Sequence, residues 1–243
     1  MPGKWFMLAL ALVAGAGVLS AAETPVLRKV SIEPEMVKAP DVTYRNQNAF
    51  TPKLASTNDW LMLKIEFTPE NVKVAVPDYR VRKGAATIVF HGWLDQVKVR
   101  TTVLFETGIV YRGKPVFGRL TGGTELLSVK RDGHRHLVAM FVPARVLDRY
   151  CIQSAAGRPV NRNAFRCEVE ISCGGKIIGQ AYSNVSGATL EEKKSAFAQL
   201  AAGVPRELDL PDMILSRSRS PWAMLAPDNY DLELDKDAGG TRK

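Results

Sequence analysis

Trp60-Leu61-Met62-Leu63-Lys64-Ile65-Glu66-Phe67-Thr68-Pro69 is the stretch on which the fold turns. Leu61, Leu63, Ile65 and Phe67 alternate with Met62, Lys64 and Glu66, and successive side chains of a strand point to opposite faces. That alternation predicts a half-buried strand, and Pro69 ends it. The same period recurs downstream. Ala86–Trp93 is a second apolar run. Val97, Val99, Thr101, Val103 and Phe105 follow with Lys98, Arg100, Thr102 and Glu106 outside. A weaker Val72/Val74/Val76 run precedes them, and Gly108 and Gly113 punctuate short segments around Val110 and Val116-Phe117.

Two hairpins are signalled locally. Asp132-Gly133 joins Glu125–Arg131 to His134–Val142, and Asp-Gly suits a type I′ turn because both central residues need positive φ. In that register Val129 faces His136, Leu127 faces Val138 and Glu125 faces Met140. Gly174-Gly175 joins Cys167–Cys173 to Lys176–Ser183. A strict two-residue loop there sets Val169 opposite Gln180, a poor core pair, so a bulge is expected.

One helix is well marked. Thr189 and Glu192 form a capping box, Leu190, Phe197, Leu200 and Ala201 make an apolar stripe, and Gly203 with Pro205 stops it. Many short strands with little helix predict a mostly β chain, an immunoglobulin-like β-sandwich with one C-terminal-side α-helix. The disulfide-and-Trp pattern of antibody domains is absent, because the cysteines fall late.

The N-terminus has the form of a secretory signal: Lys4, the apolar run Trp5–Leu19, then Ser20-Ala21-Ala22. The run is short for a membrane span, which needs about 20 apolar residues. Cleavage after Ala22 predicts export to the periplasm, cell surface or medium. Membrane contact is then expected only if the signal stays uncleaved. Gly15-Ala16-Gly17 is not a dinucleotide loop, since it lies in the signal and follows no strand. The expected organisation is signal 1–22, extended arm 23–57 with one edge strand near Val30–Ile32, sandwich 58–226 including helix 189–202, and frayed tail 227–243.

The chain carries 33 Lys+Arg against 25 Asp+Glu, a net charge of +8. That balance suits solubility, or contact with acidic glycans, anionic lipid heads or an acidic protein. An exported chain without a nucleic-acid motif argues against nucleic acid as partner.

Cys167 and Cys173 lie on one face of a strand about 20 Å apart, whereas a disulfide needs Cα atoms within about 7 Å. Cys151 must therefore supply any bridge. Cys151–Cys167 is the preferred pair, closing the loop Ile152–Arg166, with Cys173 a buried free thiol.

Candidates for chemistry are sparse. His134 and His136 would point the same way about 7 Å apart on a strand. No third ligand is placed beside them, so a turn and a sheet rim are the simpler roles, and no metal or cofactor is expected. His91 has Asp95 nearby but no nucleophile motif. Cys173 alternates with Val169 and Ile171, which buries it and argues against a reactive thiol. Trp60, Trp93, Tyr79 and Trp222 are candidate ligand contacts for stacking on sugars, although aromatic residues more often staple cores. Ser216–Ser220 reads as a basic strip or a solvated connection, and Asn184-Val185-Ser186 fits a glycan sequon.

The layout of export signal, strand-rich body from Trp60 to Ser183 and late helix resembles small secreted immunoglobulin-like proteins encoded with bacterial, particularly verrucomicrobial, type IV pilus systems. Gly3 followed by Trp5–Leu19 mimics a pilin leader only loosely, since Lys4 follows the Gly and no Glu stands fifth after it. The resemblance implies an accessory or pilin-like subunit meeting protein partners through sheet edges and loops. The resulting expectation is a non-catalytic protein of assembly or adhesion. The alternatives are a carbohydrate-binding module for acidic glycans and a hydrolase with a site assembled from distant residues.

Overall fold

The computed structural model describes residues 27–40, 59–77, 85–90, 92–151, 161–223 and 233. It is mostly β, with ten strands and two helices among those residues. The strands are β1 (Leu27–Lys38), β2 (Asp59–Pro69), β3 (Val72–Pro77), β4 (Ala85–Phe90), β5 (Trp93–Tyr111), β6 (Lys114–Lys130), β7 (His136–Val142), β8 (Phe165–Cys173), β9 (Lys176–Ser183) and β10 (Asp209–Ser216). The helices are α1 (Ala144–Tyr150) and α2 (Leu190–Ala202). None of the described helices is long and apolar enough to cross a membrane.

Eight strands join in the order β1-β2-β7-β10-β6-β5-β8-β9, while β3 and β4 pair apart from them. The arrangement is β-sandwich-like: β1, β2 and β7 form one layer, and β6, β5, β8 and β9 the other. At the far side β1 lies against β9, where bare Gly179 lets Val30 approach; a Cβ there would stand 2.7 Å from Val30 Cγ2.

Period-two burial holds along β2: Leu61, Leu63 and Ile65 are fully enclosed and Phe67 nearly so. They share one core with Ile32, Val138, Met140, Val97, Val103, Phe105, Leu120 and Val169. Each such side chain contributes about 1.5–3 kcal/mol relative to exposure. α1 continues β7 after Pro143 and adds Ala144 and Leu147 to the buried set.

β10 stitches the two layers together. Asp209 and Leu210 run parallel to Arg119 and Leu120 of β6, and Ile214 sits opposite Gly122. Leu215 and Ser216 then pair antiparallel with Phe141 and Met140 of β7. Between them the register slips, Pro211 offers no N–H, and Asp212 takes a positive φ of 58°. A bulge of this kind lets one strand leave one sheet for the other.

That strand overturns the Asp132-Gly133 hairpin. β6 and β7 do not pair with each other, because β10 stands between them. Gly133 takes φ 74° but Asp132 does not take a positive φ, so no type I′ turn forms and the strands diverge. Leu127, expected against Val138, is instead 50% exposed. The Gly174-Gly175 hairpin does form, with the expected irregularity between Ile171 and Ser172. The slip brings Ala181 rather than Gln180 opposite Val169.

α2 carries the complete capping box: Glu192 N–H donates to Thr189 Oγ1 at 3.2 Å, and Glu192 Oε2 accepts from Thr189 N–H at 3.3 Å. Phe197 joins Leu104, Phe117 and Tyr182 in a second, smaller core on the outer face of β5 and β6, while Leu190 stays exposed.

Candidate functional site

The residues singled out as ligand contacts do not gather at one place. Trp222 stacks flat on Phe141 with centroids 4.4 Å apart and meets Trp60 edge-on at 5.4 Å. The two indoles therefore cover the outer face of β2 and β7, which is a packing role. Trp93 is 60% exposed at the start of β5. Tyr79 and His91 lie outside the described residues.

His136 stacks on Phe67 with centroids 5.5 Å apart, and its Nε2 lies 3.0 Å from the Lys130 carbonyl oxygen. No group of three metal-ligating side chains occurs among the described residues. In the Ser216–Ser220 strip both end serines are buried, and Arg217–Arg219 forms a short 3-10 turn. The sequon's Asn184 donates its side-chain N–H to the carbonyls of Arg162 and Phe165 at 3.1 and 2.9 Å.

The expected Cys151–Cys167 disulfide is not formed, and all three cysteines are free. Cys151 caps the end of α1 and Cys167 points inward from β8. Burial pushes both thiols up to about 12 from the ordinary 9.0. Cys173 is half-buried rather than buried, and its thiol donates to the Asp95 carbonyl at 3.4 Å.

Two results follow from these thiols. Alkylation of the native chain at mild pH is expected to label Cys173 first, and all three after denaturation; a pair still blocked after denaturation would reveal a disulfide. The second concerns pH. The fold holds the protonated thiols while the unfolded chain ionises them. Stability is therefore unaffected below pH 9.0 and should fall as pH climbs towards 12. Urea titrations across that range, compared with the Cys151→Ala/Cys167→Ala chain, read out the slope.

Three surface features remain. The first is an open sheet edge. Beyond Gly122, β10 has left for β7, so β6 from Gly123 to Lys130 pairs only with β5 among the described strands. One residue of the C-terminal tail sits there, with Glu233 forming an isolated antiparallel bridge with Leu126. The Glu233 carboxylate accepts from the backbone N–H groups of Arg217 and Ser218 at 3.3 and 3.0 Å. The tail expected to fray is thus tied down at this residue.

Within the expected arm, residues 27–40 are described. β1 pairs with β2 from Leu27 to Lys38 and buries Leu27, Ile32 and Pro34, so it is far longer than the Val30–Ile32 segment expected.

The second feature is a polar groove of about 540 Å³ on the outer face of β5, β6, β8 and β9, walled by α2. Arg100, Thr102, Thr121, Glu170, Gln180 and Lys194 line it. At one end Arg119 grips Asp209 with two N–H groups, Nε donating to Oδ1 at 2.8 Å. That contact holds the Asp209 carboxyl below its ordinary value. The Tyr182 hydroxyl donates to Glu168 at 2.8 Å; burial first, then this bond, pushes its titration up. The groove offers hydrogen bonds of both kinds and charges of both signs.

The third feature is the far end of the β5–β6 hairpin. Pairing of β5 with β8 ends at Phe105–Phe165, and pairing of β6 with β10 begins at Arg119–Asp209. Residues 106–118 therefore continue as a two-stranded ribbon, closed by a tight turn at Arg112 (φ 49°) and Gly113 (φ 75°). Ile109, Val110 and Tyr111 at its end are 55, 67 and 63% exposed. The segments around Val110 and Val116-Phe117 are marked in the sequence, but their pairing into a ribbon is not. The Arg-Gly turn between Val110 and Val116 was its available signal.

No protein-family model matches the chain, and no curated protein matches it in sequence. Among solved structures, a crystal structure from Akkermansia muciniphila is similar, with a TM-score of 0.53 at 12% sequence identity. The likeness covers 85% of this chain and 94% of that one. At that identity it shows a shared mostly β fold that spans nearly the whole of both chains.

Proposed function

We propose that this chain is an exported, non-catalytic β-sandwich protein that works in assembly or adhesion at a cell surface, in the manner of the type IV pilus accessory or pilin-like subunits whose layout it resembles. The observation that supports this most directly is the edge of β6 from Gly123 to Lys130, which among the described strands pairs only with β5. Unpaired backbone N–H and C=O groups along an edge bind any extended segment of suitable register, with modest demand on its side chains. The Leu126–Glu233 bridge supports the same route, because this edge already takes one residue of the chain's own tail in antiparallel fashion. A partner strand in that place would extend the layer of β6, β5, β8 and β9.

The test is removal of residues 227–243 together with Leu127→Lys. The truncated chain is expected to self-associate in sedimentation velocity, since its edge is uncovered. Adding Leu127→Lys should restore the monomer, because an edge lysine resists pairing. A truncated chain that sediments as the full chain does would remove the edge as the route. Turnover on a broad panel of ester, peptide and glycoside substrates would remove the non-catalytic reading itself.

A further inference from the structure

We propose that the end of the β5–β6 hairpin is a membrane-docking tip, which inserts Ile109, Val110 and Tyr111 into the interface of a bilayer containing anionic lipid. This is separate from the β6 edge and goes beyond the assembly reading. It also departs from the expectation that membrane contact needs an uncleaved signal.

From Phe105 to Tyr111 the strand runs about 15–20 Å past the last β8 pairing, at about 3.3 Å per residue. Among the described strands it pairs there with β6 alone; the Thr107 hydroxyl donates to the Val116 carbonyl at 2.8 Å and accepts from the Ile109 N–H at 3.3 Å. Turns that meet only water favour Gly, Asn, Asp and Ser. Here the strand leading into the Arg112-Gly113 turn carries three large apolar side chains, each more than half exposed.

Val110 and Tyr111, paired with Pro115 and Lys114, point to opposite faces of the ribbon, while Ile109 lies in the bulge between Glu106 and Val110. A flat partner laid on one face of the ribbon would leave the other in water. Entry end-first into a soft interface covers all three.

No acidic residue occurs from Thr107 to Thr124, while Arg112, Lys114 and Arg119 are cationic. Arg112 and Lys114 are exposed beside the apolar tip, with the Arg112 guanidinium carbon 5.2 Å from the Tyr111 ring centre. An aromatic side chain at headgroup depth with cations alongside matches an anionic bilayer surface. The hollow of about 540 Å³ between the tip and the end of α2, lined by Tyr111, Arg112, Lys114 and Leu200, opens beside the same residues and adds apolar surface to that end.

The experiment is co-sedimentation with phosphatidylcholine vesicles, with and without phosphatidylglycerol, at low and high salt. It is run on the full chain and on a chain beginning at Glu23, so that the leader's own membrane affinity is separated from that of the tip. Binding is expected to the anionic vesicles and to weaken with salt. Arg112→Ser/Lys114→Ser should weaken it about thirtyfold, since each cation near such a surface contributes about 1 kcal/mol. Ile109→Ser/Val110→Ser should weaken it about tenfold or more, with the circular dichroism spectrum unchanged. Equal binding to the neutral vesicles, no binding of the Glu23 chain to either, or full binding by the Ile109→Ser/Val110→Ser chain would overturn the proposal. The assembly reading stands or falls on sedimentation without vesicles, so the two failures are distinguishable.

Discussion

Replacing Gly122 with Val is expected to destabilise the fold by about 3 kcal/mol, although Val is the better strand former. A Cβ at this position would run into the Ile214 carbonyl oxygen and lie 2.6 Å from the Ile214 Cβ. The obstacle is backbone, so relief requires β10 to move away from β6 where it crosses between the layers. Strand propensity favours Val over Gly by at most about 1 kcal/mol, so the clash decides the sign. With a denaturant slope of about 2–3 kcal/mol per molar, the urea midpoint should drop by about 1 M. An unchanged or raised midpoint would mean that β10 does not press on Gly122.

The second large effect belongs to Phe105, which is almost wholly buried opposite Gly118. Its ring lies across the glycine, and a Cβ on Gly118 would meet Cζ and come within 2.8 Å of the Cε atoms. Phe105→Ala is expected to cost about 3–5 kcal/mol, the lost transfer plus the cavity left behind. Gly118→Ala alone should cost about 1–3 kcal/mol by overpacking the same ring. The double variant should cost at least about 1 kcal/mol less than the two separately, because the added methyl then enters space the ring has vacated. Simple additivity in urea unfolding would show that the two positions do not touch.

What the sequence made legible is whatever rests on neighbours along the chain. β2 was readable because Leu61 to Phe67 alternate without interruption, and α2 because its capping box is wholly local. The β8–β9 bulge was readable too, since Val169 opposite Gln180 would have set a polar side chain in the core. The Asp132-Gly133 hairpin misled for the opposite reason. Its two strands are locally suited to each other, but the strand between them comes from residues 209–216, about eighty positions further on. Local turn chemistry carries no information about such an insertion.

The candidate surfaces divide in the same way. Trp60 and Trp222 were singled out by residue type, and only the fold shows that they cover Phe141 and each other. Beyond Gly122 the described strands leave β6 with β5 alone because β10 departs there, a long-range event with no local mark. The ribbon tip was the most accessible of the three, since the acid-free run from Thr107 to Thr124 is visible in the sequence alone.

The position of β10 also bears on when this molecule can become itself. A nascent chain emerging amino-end first has synthesised all the other described strands of both layers before the one that couples them, because residues 209–216 follow them in sequence. Until then the facing sides of β6 and β7 lack their partner, and closure waits on contacts of high sequence separation, which are slow to form. A late-arriving keystone therefore leaves the two layers uncoupled until translation is nearly complete.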